Sequence, residues 1–166
     1  MSYYKIKNFS INEKDNKIMV TAADSSLRPL SFFRSEYHEK AATLREKLRC
    51  FVRSLSGRCL HPVRSLYRLN YAYNRAQEVC GCVYDADDAT VEKYLDIFLT
   101  AYKEKEKPGE YMVIRDGRAI RACGDFRCWM AWPGDAKYSK KYRFGYFQAH
   151  NLSREFGGDV VEVCKV

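Results

Sequence analysis

The chain has 166 residues, 46% of them hydrophobic and 30% charged, a composition that excludes a disordered protein and fits one globular domain. Its 29 basic and 21 acidic side chains give a formal net charge of +8, so we expect an anionic partner. No apolar run is long enough to span a membrane, and no apolar leader follows Met1, so we expect a cytoplasmic protein without a membrane segment.

The first predicted elements are a β-hairpin and two helices. Residues 3–11 and 17–23 have strand patterns on either side of a polar turn. A helix is predicted from Ser35 to Gly57, because apolar side chains recur at the spacing of one buried stripe: Tyr37, Ala41, Leu44, Leu48, Phe51, Val52 and Leu55. Pro62 suits the first turn of a second helix, which would end near Val79. Its predicted inward side chains are Val63, Leu66, Tyr67 and Tyr73.

The second half of the chain predicts two more helices, a second hairpin and a closing strand. A helix over 89–105 would be capped by Asp87 or Asp88. Asp116-Gly117 is a strong turn signal between strands at 111–115 and 118–123. The remaining predicted elements are an aromatic loop at 124–134, a helix at 139–156 that ends at Gly157-Gly158, and a strand at 160–164.

The order of these elements, ββααα-ββαβ, groups strands apart from helices. Such grouping indicates an α+β fold, because a parallel α/β sheet would alternate the two. We therefore predict a single α+β domain over residues 1–166, with one antiparallel or mixed sheet packed against about four helices.

The positive charge is concentrated in one segment. Residues 40–77 hold nine basic side chains and one acid, Glu46, and this segment accounts for the whole net charge. Seven of the nine are Arg, whose planar fork suits phosphates and stacked bases. Winding the two predicted helices at about 100° per residue places an arginine ridge beside each buried stripe: Arg45, Arg49 and Arg53, then Arg64, Arg68 and Arg75, bordered by Tyr71.

Three interpretations of these ridges stay open: solvated helix faces, a nucleic-acid or nucleoprotein surface, and a contact for an acidic protein. A solvated face normally mixes signs, and here only Glu46 is available to relieve the self-repulsion. Tyr71 would stack on a base or on a guanidinium.

A second candidate surface lies at 137–147, where cations and aromatic side chains interleave as in a stacking platform for nucleic acid. We favour a helix there, whose aromatic side chains Tyr142, Phe144 and Tyr146 enter the core while the cations are solvated. The predicted partner-binding set nevertheless includes Lys140, Lys141 and Arg143.

The cysteines give a weak metal signal. Cys80-x-Cys82 and Cys123-x4-Cys128 lack the two-residue spacing of zinc knuckles. The chain has seven cysteines, and in a cytosolic protein we expect them to be reduced. Cys50 and Cys164 fall in core-like positions, so we expect them to be buried and inert.

No complete catalytic motif occurs, so no catalytic residue, metal ligand or cofactor is predicted. His38 and His61 have structural positions at helix starts. The acids Asp85, Asp87 and Asp88 precede a helix, where capping explains them without Mg²⁺.

The opening segment, Tyr3-Tyr4-Lys5-Ile6-Lys7-Asn8 followed by 20–30, resembles the start of small uncharacterised proteins carried by phages, plasmids and integrative elements of gut Firmicutes, some of which look like anti-CRISPRs. The resemblance covers residues 3–30 and transfers no functional residue. It implies a mobile-element protein that binds host nucleoprotein machinery.

The sequence therefore predicts a small, basic, non-enzymatic protein that binds nucleic acid or a nucleic-acid-handling complex, with a role as an inhibitor of bacterial defence. One alternative is an enzyme for a nucleotide or another polyanion, using His61 or His150 and an acid beside the cations. Another is a zinc-stabilised interaction module. Partner identity and oligomeric state stay open.

Overall fold

The chain has the α+β fold that the sequence predicts. The structure, a computed structural model, describes residues 4–14, 17–24, 43–57, 60–62, 66–81, 83, 86–124, 126–131 and 139–165. By its internal contacts the chain divides into two compact units, 1–103 and 104–166. That all 166 residues form one domain stays a prediction.

The first unit contains a three-stranded sheet with the order β2-β1-β3. The strands β1 (Tyr4–Asn12) and β2 (Lys17–Asp24) pair antiparallel and confirm the predicted N-terminal hairpin. The short strand β3 (Leu60–Pro62) pairs parallel to β1 on its other side.

Pro62 does not begin a helix, which corrects the prediction. It ends β3 opposite Ile6, where its fixed φ fits an extended chain and the edge position of β3 tolerates the missing N–H. The second helix begins five positions later than predicted, at Tyr67.

The described residues of the first unit form the helices α1 (Leu44–Gly57), α2 (Tyr67–Cys80) and α3 (Asp88–Lys103). The predicted start of the first helix near Ser35 lies outside the described residues. The predicted cap of α3 is confirmed, because Asp87 Oδ1 accepts a hydrogen bond from the Thr90 N–H at 2.8 Å. Hydrogen bonds from the Thr90 side chain and from its backbone N–H lower the pKa of Asp87.

Aromatic rings join β1, α1 and α3. Phe9 stacks on Phe51 at 4.9 Å between centroids and meets Phe98 edge-on at 6.5 Å. Phe51 and Phe98 are fully buried, as are their neighbours Ile6 and Leu48. This burial explains the apolar stripe of α1, since Leu48 and Phe51 are both buried and Phe51 faces the sheet.

The predicted inward face of α2 is wrong. The buried side chains are Leu69, Tyr71, Ala72 and Ala76, whereas Tyr67 is exposed and both Leu66 and Tyr73 are half-buried. Helix α2 packs on α3, and small side chains at 72 and 76 let two helices approach closely. A pattern search that gives weight to large apolar side chains misses an alanine face.

The second unit contains a separate antiparallel sheet with the order β6-β5-β4-β7, so the prediction of one sheet is wrong. Strands β4 (Tyr111–Arg115) and β5 (Arg118–Cys123) are joined by Asp116 and Gly117, with φ of 50° and 70°. Two consecutive positive φ values are typical of a type I′ turn and confirm the predicted hairpin.

The predicted aromatic loop at 124–134 is also wrong at its start, because Phe126–Ala131 is the strand β6. It pairs with β5 along its whole length, from Cys123 opposite Phe126 to Arg118 opposite Ala131. Bulky side chains on both faces of β6 hide the alternation that would have indicated a strand.

The segment before the last helix is inserted at the open end of the β4–β5 pair. Among the described residues, β4 and β5 pair at 114–115 with 118–119, close to the turn. Further along, Phe144 takes the bonding position beside Tyr111, with two reciprocal backbone hydrogen bonds of 2.9 Å. Tyr142 packs against Met112 and Ala119.

This insertion corrects the helix predicted at 139–156. Residues Lys140–Tyr142 form a 3-10 turn, and α4 (Tyr146–Phe156) begins only after the extended Gly145. The aromatic side chains Tyr142, Phe144 and Tyr146 are buried, as predicted. The helix ends at Gly157, and β7 (Asp159–Glu162) pairs antiparallel with β4 before a 3-10 turn at Val163–Lys165.

Gly158 has no room for a side chain. Its φ is +97°, and an added Cβ would lie 2.8 Å from Trp129 Cη2 and 3.0 Å from the Ile114 carbonyl oxygen. Gly124, with φ +60°, has open space at the same position. Alanine substitutions at these two positions therefore distinguish the cost of backbone strain, which both share, from the cost of a steric clash, which only Gly158 has.

We expect Gly158→Ala to lower the free energy of unfolding by about 3 kcal/mol, because it adds a clash to the strain of a positive φ. Gly124→Ala should cost about 1 kcal/mol, from strain alone. Urea unfolding followed by circular dichroism measures both. Equal losses in the two variants would contradict the close approach at Gly158.

Candidate nucleic-acid interface

The predicted ridge on α1 faces acids of α3. Arg45 donates from Nε to Glu92 Oε2 at 2.8 Å and from Nη2 to Asp96 Oδ1 at 2.9 Å. Arg49 pairs with the other carboxylate oxygen of Glu92. The expectation that only Glu46 could relieve the repulsion is wrong, because the compensating acids lie on a different helix.

These ion pairs hold their members in the charged form. The hydrogen bonds with Asp96 and Glu92 raise the pKa of Arg45, and the hydrogen bond from Arg45 lowers the pKa of Glu92. The other described cation of this helix, Lys47, is only 8% exposed. The described part of α1 is therefore not a one-signed ridge, and the side chain of Arg53 lies outside it.

The cations of α2 contact α2 and α3. Arg68 donates from Nη1 to the Tyr102 carbonyl at 2.7 Å, at the C-terminal end of α3, where a cation complements the helix dipole. Arg75 lies over the Tyr71 ring at 5.2 Å and donates to its hydroxyl at 3.3 Å. Arg64 lies outside the described residues.

Tyr71 makes one of its two predicted contacts. The ring receives a guanidinium, as expected, but this guanidinium is the chain's own Arg75. Tyr71 is 3% exposed, so no base reaches its face in this structure. The prediction that it borders an open ridge is corrected by this burial.

Two predicted cations of the second unit have no ion pair with any acid that the structure describes. Lys140 and Lys141 are exposed on the 3-10 turn, and neither pairs with an acid among the described residues. Arg143 differs, because its Nη1 lies 2.6 Å from Glu110 Oε2. Lys140 and Lys141 therefore present positive charge that the described part of the chain does not neutralise.

An exposed aromatic ring lies on a neighbouring strand. Phe126 is 77% exposed and Met130 is 38% exposed, both on β6. The β5–β6 register places Cys123 opposite Phe126 and Arg121 opposite Cys128, so these four side chains share one face of the sheet. Arg121 Nε is buried without a hydrogen-bond partner among the described residues.

The 3-10 turn that carries the two lysines contacts β5, so we treat these features as one candidate surface. We call it the hairpin surface and define it by Arg121, Phe126, Met130, Lys140 and Lys141. Only the two lysines were predicted from the sequence. Phe126 was missed because the segment after Gly124 was predicted as a loop, and a loop assigns no face. Arg121 lies in a predicted strand, but without β6 as a predicted partner nothing placed it beside Phe126.

The cysteines do not form a metal site in the described part of the chain. Cys123 and Cys128 are close, with 3.2 Å between their sulfurs, but no third His, Cys, Asp or Glu joins them among the described residues. Cys82 lies outside those residues. Cys50 and Cys164 are exposed, which corrects the expectation that they are buried.

The two histidines proposed for an enzyme lie in different elements, β3 and α4. His61 lies in β3, and the His150 ring lies 4.5 Å from the Tyr146 ring in an edge contact. A pocket of about 420 Å³ in the first unit is lined by Ile11, Glu13, Arg68, Tyr102 and Lys103, a set without histidine.

No family model matches this chain, and no match was found among curated proteins or solved structures. Every helix in the described ranges is too short or too polar to cross a lipid bilayer.

The Glu92 ion pairs predict a pH dependence of stability. A carboxylate whose pKa is lowered by folding contributes stability above its ordinary value of 4.5, and this contribution disappears as the pH falls through the lower, folded value. Glu92→Gln removes the titrating group. We therefore expect the thermal midpoint of the wild type to fall more steeply below pH 4.5 than that of Glu92→Gln.

The matched control is Asp116→Asn, which removes one acid from an exposed turn and should retain the wild-type slope. Differential scanning calorimetry at a series of pH values measures all three proteins. Parallel curves for the wild type and Glu92→Gln would rule out a stabilising role for the ion pairs.

Proposed function

We propose that this protein binds single-stranded nucleic acid through the hairpin surface. The observation that carries the proposal is the exposed Phe126 ring on the same sheet face as Arg121, together with the exposed Lys140 and Lys141 on the 3-10 turn that contacts β5. An exposed ring stacks on an unpaired base, and nearby cations contact the phosphates that flank it.

The charge arrangement favours this surface over the predicted ridges. Arg45 and Arg49 share the carboxylates of α3, and Arg68 and Arg75 contact groups of their own unit. A phosphate would have to displace these partners. Lys140 and Lys141 have no ion pair with an acid of the described residues, so a phosphate that binds there would release counterions without displacing such a partner.

The single-stranded form is favoured by the shape of the site. A ring on a sheet face has access to a base only where the base is unstacked, as in a single strand or a loop. Duplex binding would use the cations and leave Phe126 without a role. The choice between DNA and RNA is left to the binding measurements.

The cellular setting of the proposal is a cytoplasmic protein of a mobile element that acts on a nucleic-acid-handling complex of its host. This part rests on the resemblance of residues 3–30 and on the basic composition. No observation on the described residues favours the enzyme or the zinc-stabilised module, and we do not propose them.

The lysines give the first test. Anisotropy titrations with a labelled single strand, at several salt concentrations, give the slope of log K against log salt. For Lys140→Ala/Lys141→Ala we expect this slope to decrease by about 1.4, since each phosphate contact to a single strand contributes about 0.7. The matched control, Lys7→Ala/Lys93→Ala, removes the same charge from exposed positions of the first unit and should keep the wild-type slope.

A third variant compares the two candidate surfaces. Arg45→Ala/Arg49→Ala should change the affinity less than twofold, because both guanidiniums are already paired. A loss of affinity seen only in this variant would indicate that the binding site lies on α1. Equal slopes for the wild type and the lysine variant would exclude the hairpin surface.

Phe126 gives the second test. Phe126→Ala should weaken single-strand binding by about 5- to 150-fold, the range that corresponds to one lost base–aromatic stack. Phe126→Tyr keeps a flat ring and should bind like the wild type. Phe126 is exposed, so neither substitution should change the circular dichroism spectrum of the folded protein. Equal affinities for the alanine and tyrosine variants would contradict stacking on this ring.

A further inference from the structure

Two cysteine thiols face each other across the β5–β6 hairpin. Cys123 ends β5, Cys128 lies within β6, and their sulfurs are 3.2 Å apart. The register sets both side chains on the same sheet face as diagonal neighbours. An approach of about 1.2 Å would bring the sulfurs to the length of a disulfide bond.

The two thiols have different environments. Cys123 is exposed, whereas Cys128 is half-buried and its sulfur lies 3.9 Å from the Arg121 carbonyl oxygen. The hydrogen bond with Cys123, together with burial, raises the pKa of the Cys128 thiol. Cys128 thus retains its proton, and Cys123 is the sulfur that a reagent in solution reaches first.

The other described cysteines lack this arrangement. Cys50 and Cys164 are exposed and Cys80 is half-buried, and no second thiol–thiol contact occurs in the ranges that the structure describes. Within the described residues, the sulfur–sulfur contact of 3.2 Å, and not exposure, is therefore what singles out Cys123 and Cys128.

We propose that Cys123 and Cys128 form a reversible redox site, which becomes a disulfide by exchange with a low-molecular-weight disulfide of the glutathione class. The Cys123 thiolate attacks one sulfur of the reagent, which forms a mixed disulfide and releases one thiol. Cys128 loses its proton and attacks Cys123 Sγ, which releases the second thiol. The two cysteines lose two electrons, the reagent gains them, and both protons end on the released thiols.

The short loop between the cysteines explains why the bond is reversible. A disulfide restrains the unfolded chain less when it closes a short loop, so this one adds little stability that would oppose its reduction. The reduced form is accordingly the expected state in a reducing cytosol, in agreement with the sequence.

Tryptic peptides report the bond directly. Trypsin cuts after Arg121, Arg127 and Lys137, so Cys123 falls in peptide 122–127 and Cys128 in peptide 128–137. The folded protein is equilibrated with reduced and oxidised glutathione, its free thiols are alkylated, and it is digested without reductant. We expect the two peptides to be linked under oxidising ratios and separate after treatment with dithiothreitol.

Two variants test the mechanism. In Cys128→Ser the resolving thiol is absent, so Cys123 should accumulate as a stable glutathione adduct. The matched control, Cys50→Ser/Cys164→Ser, keeps the pair and should give the linked peptides at the wild-type glutathione ratio. Circular dichroism confirms that each variant is folded.

The proposal is overturned if oxidised wild type lacks the link between 122–127 and 128–137 while its other cysteines are modified. It is equally overturned if Cys123 links to a different cysteine, or if Cys128→Ser leaves Cys123 unmodified. The reaction contains no nucleic acid, so its outcome is independent of the function proposed above.

Discussion

The ion pairs of Glu92 with Arg45 and Arg49 determine how much of the positive charge of α1 is left without a partner. One carboxylate accepts hydrogen bonds from Arg45 and Arg49, and Asp96 one turn later completes the pairing. The densest basic segment of the chain is thereby joined to α3 inside its own unit. Two arginines of this segment are thus compensated by acids that are distant in sequence, and within the described residues Lys140 and Lys141 present positive charge in another part of the chain.

The hairpin surface depends on backbone geometry more than on charge count. The left-handed turn at Asp116 and Gly117 sets the register of β5, and β6 then follows β5 along its length. This pairing puts Phe126 and Arg121 on one face, although they are separated by a turn. The same pairing sets Cys123 against Cys128, so one strand register generates both the proposed binding surface and the proposed redox site.

Much of the fold was predictable because its signals are local. The two hairpins and the Asp87 cap each depend on a few adjacent residues. The errors arose where distant partners decide the outcome: Pro62 joins a strand because β1 is beside it, and the alanine face of α2 exists because α3 packs there. For the site, the composition around Lys140 was informative, while the acids that pair with Arg45 lie too far along the chain for a helical wheel to include them.

The insertion of Phe144 beside Tyr111 has a consequence for the order of folding. The β4–β5 hairpin closes locally at its turn, but its open end is completed by a segment that comes much later in the chain. A pairing of this kind has a high contact order and forms slowly compared with the turn. We therefore expect the turn at Asp116 and Gly117 to form before the pairing of Tyr111 with Phe144 and before the pairing of β4 with β7, both of which join residues far apart in the chain.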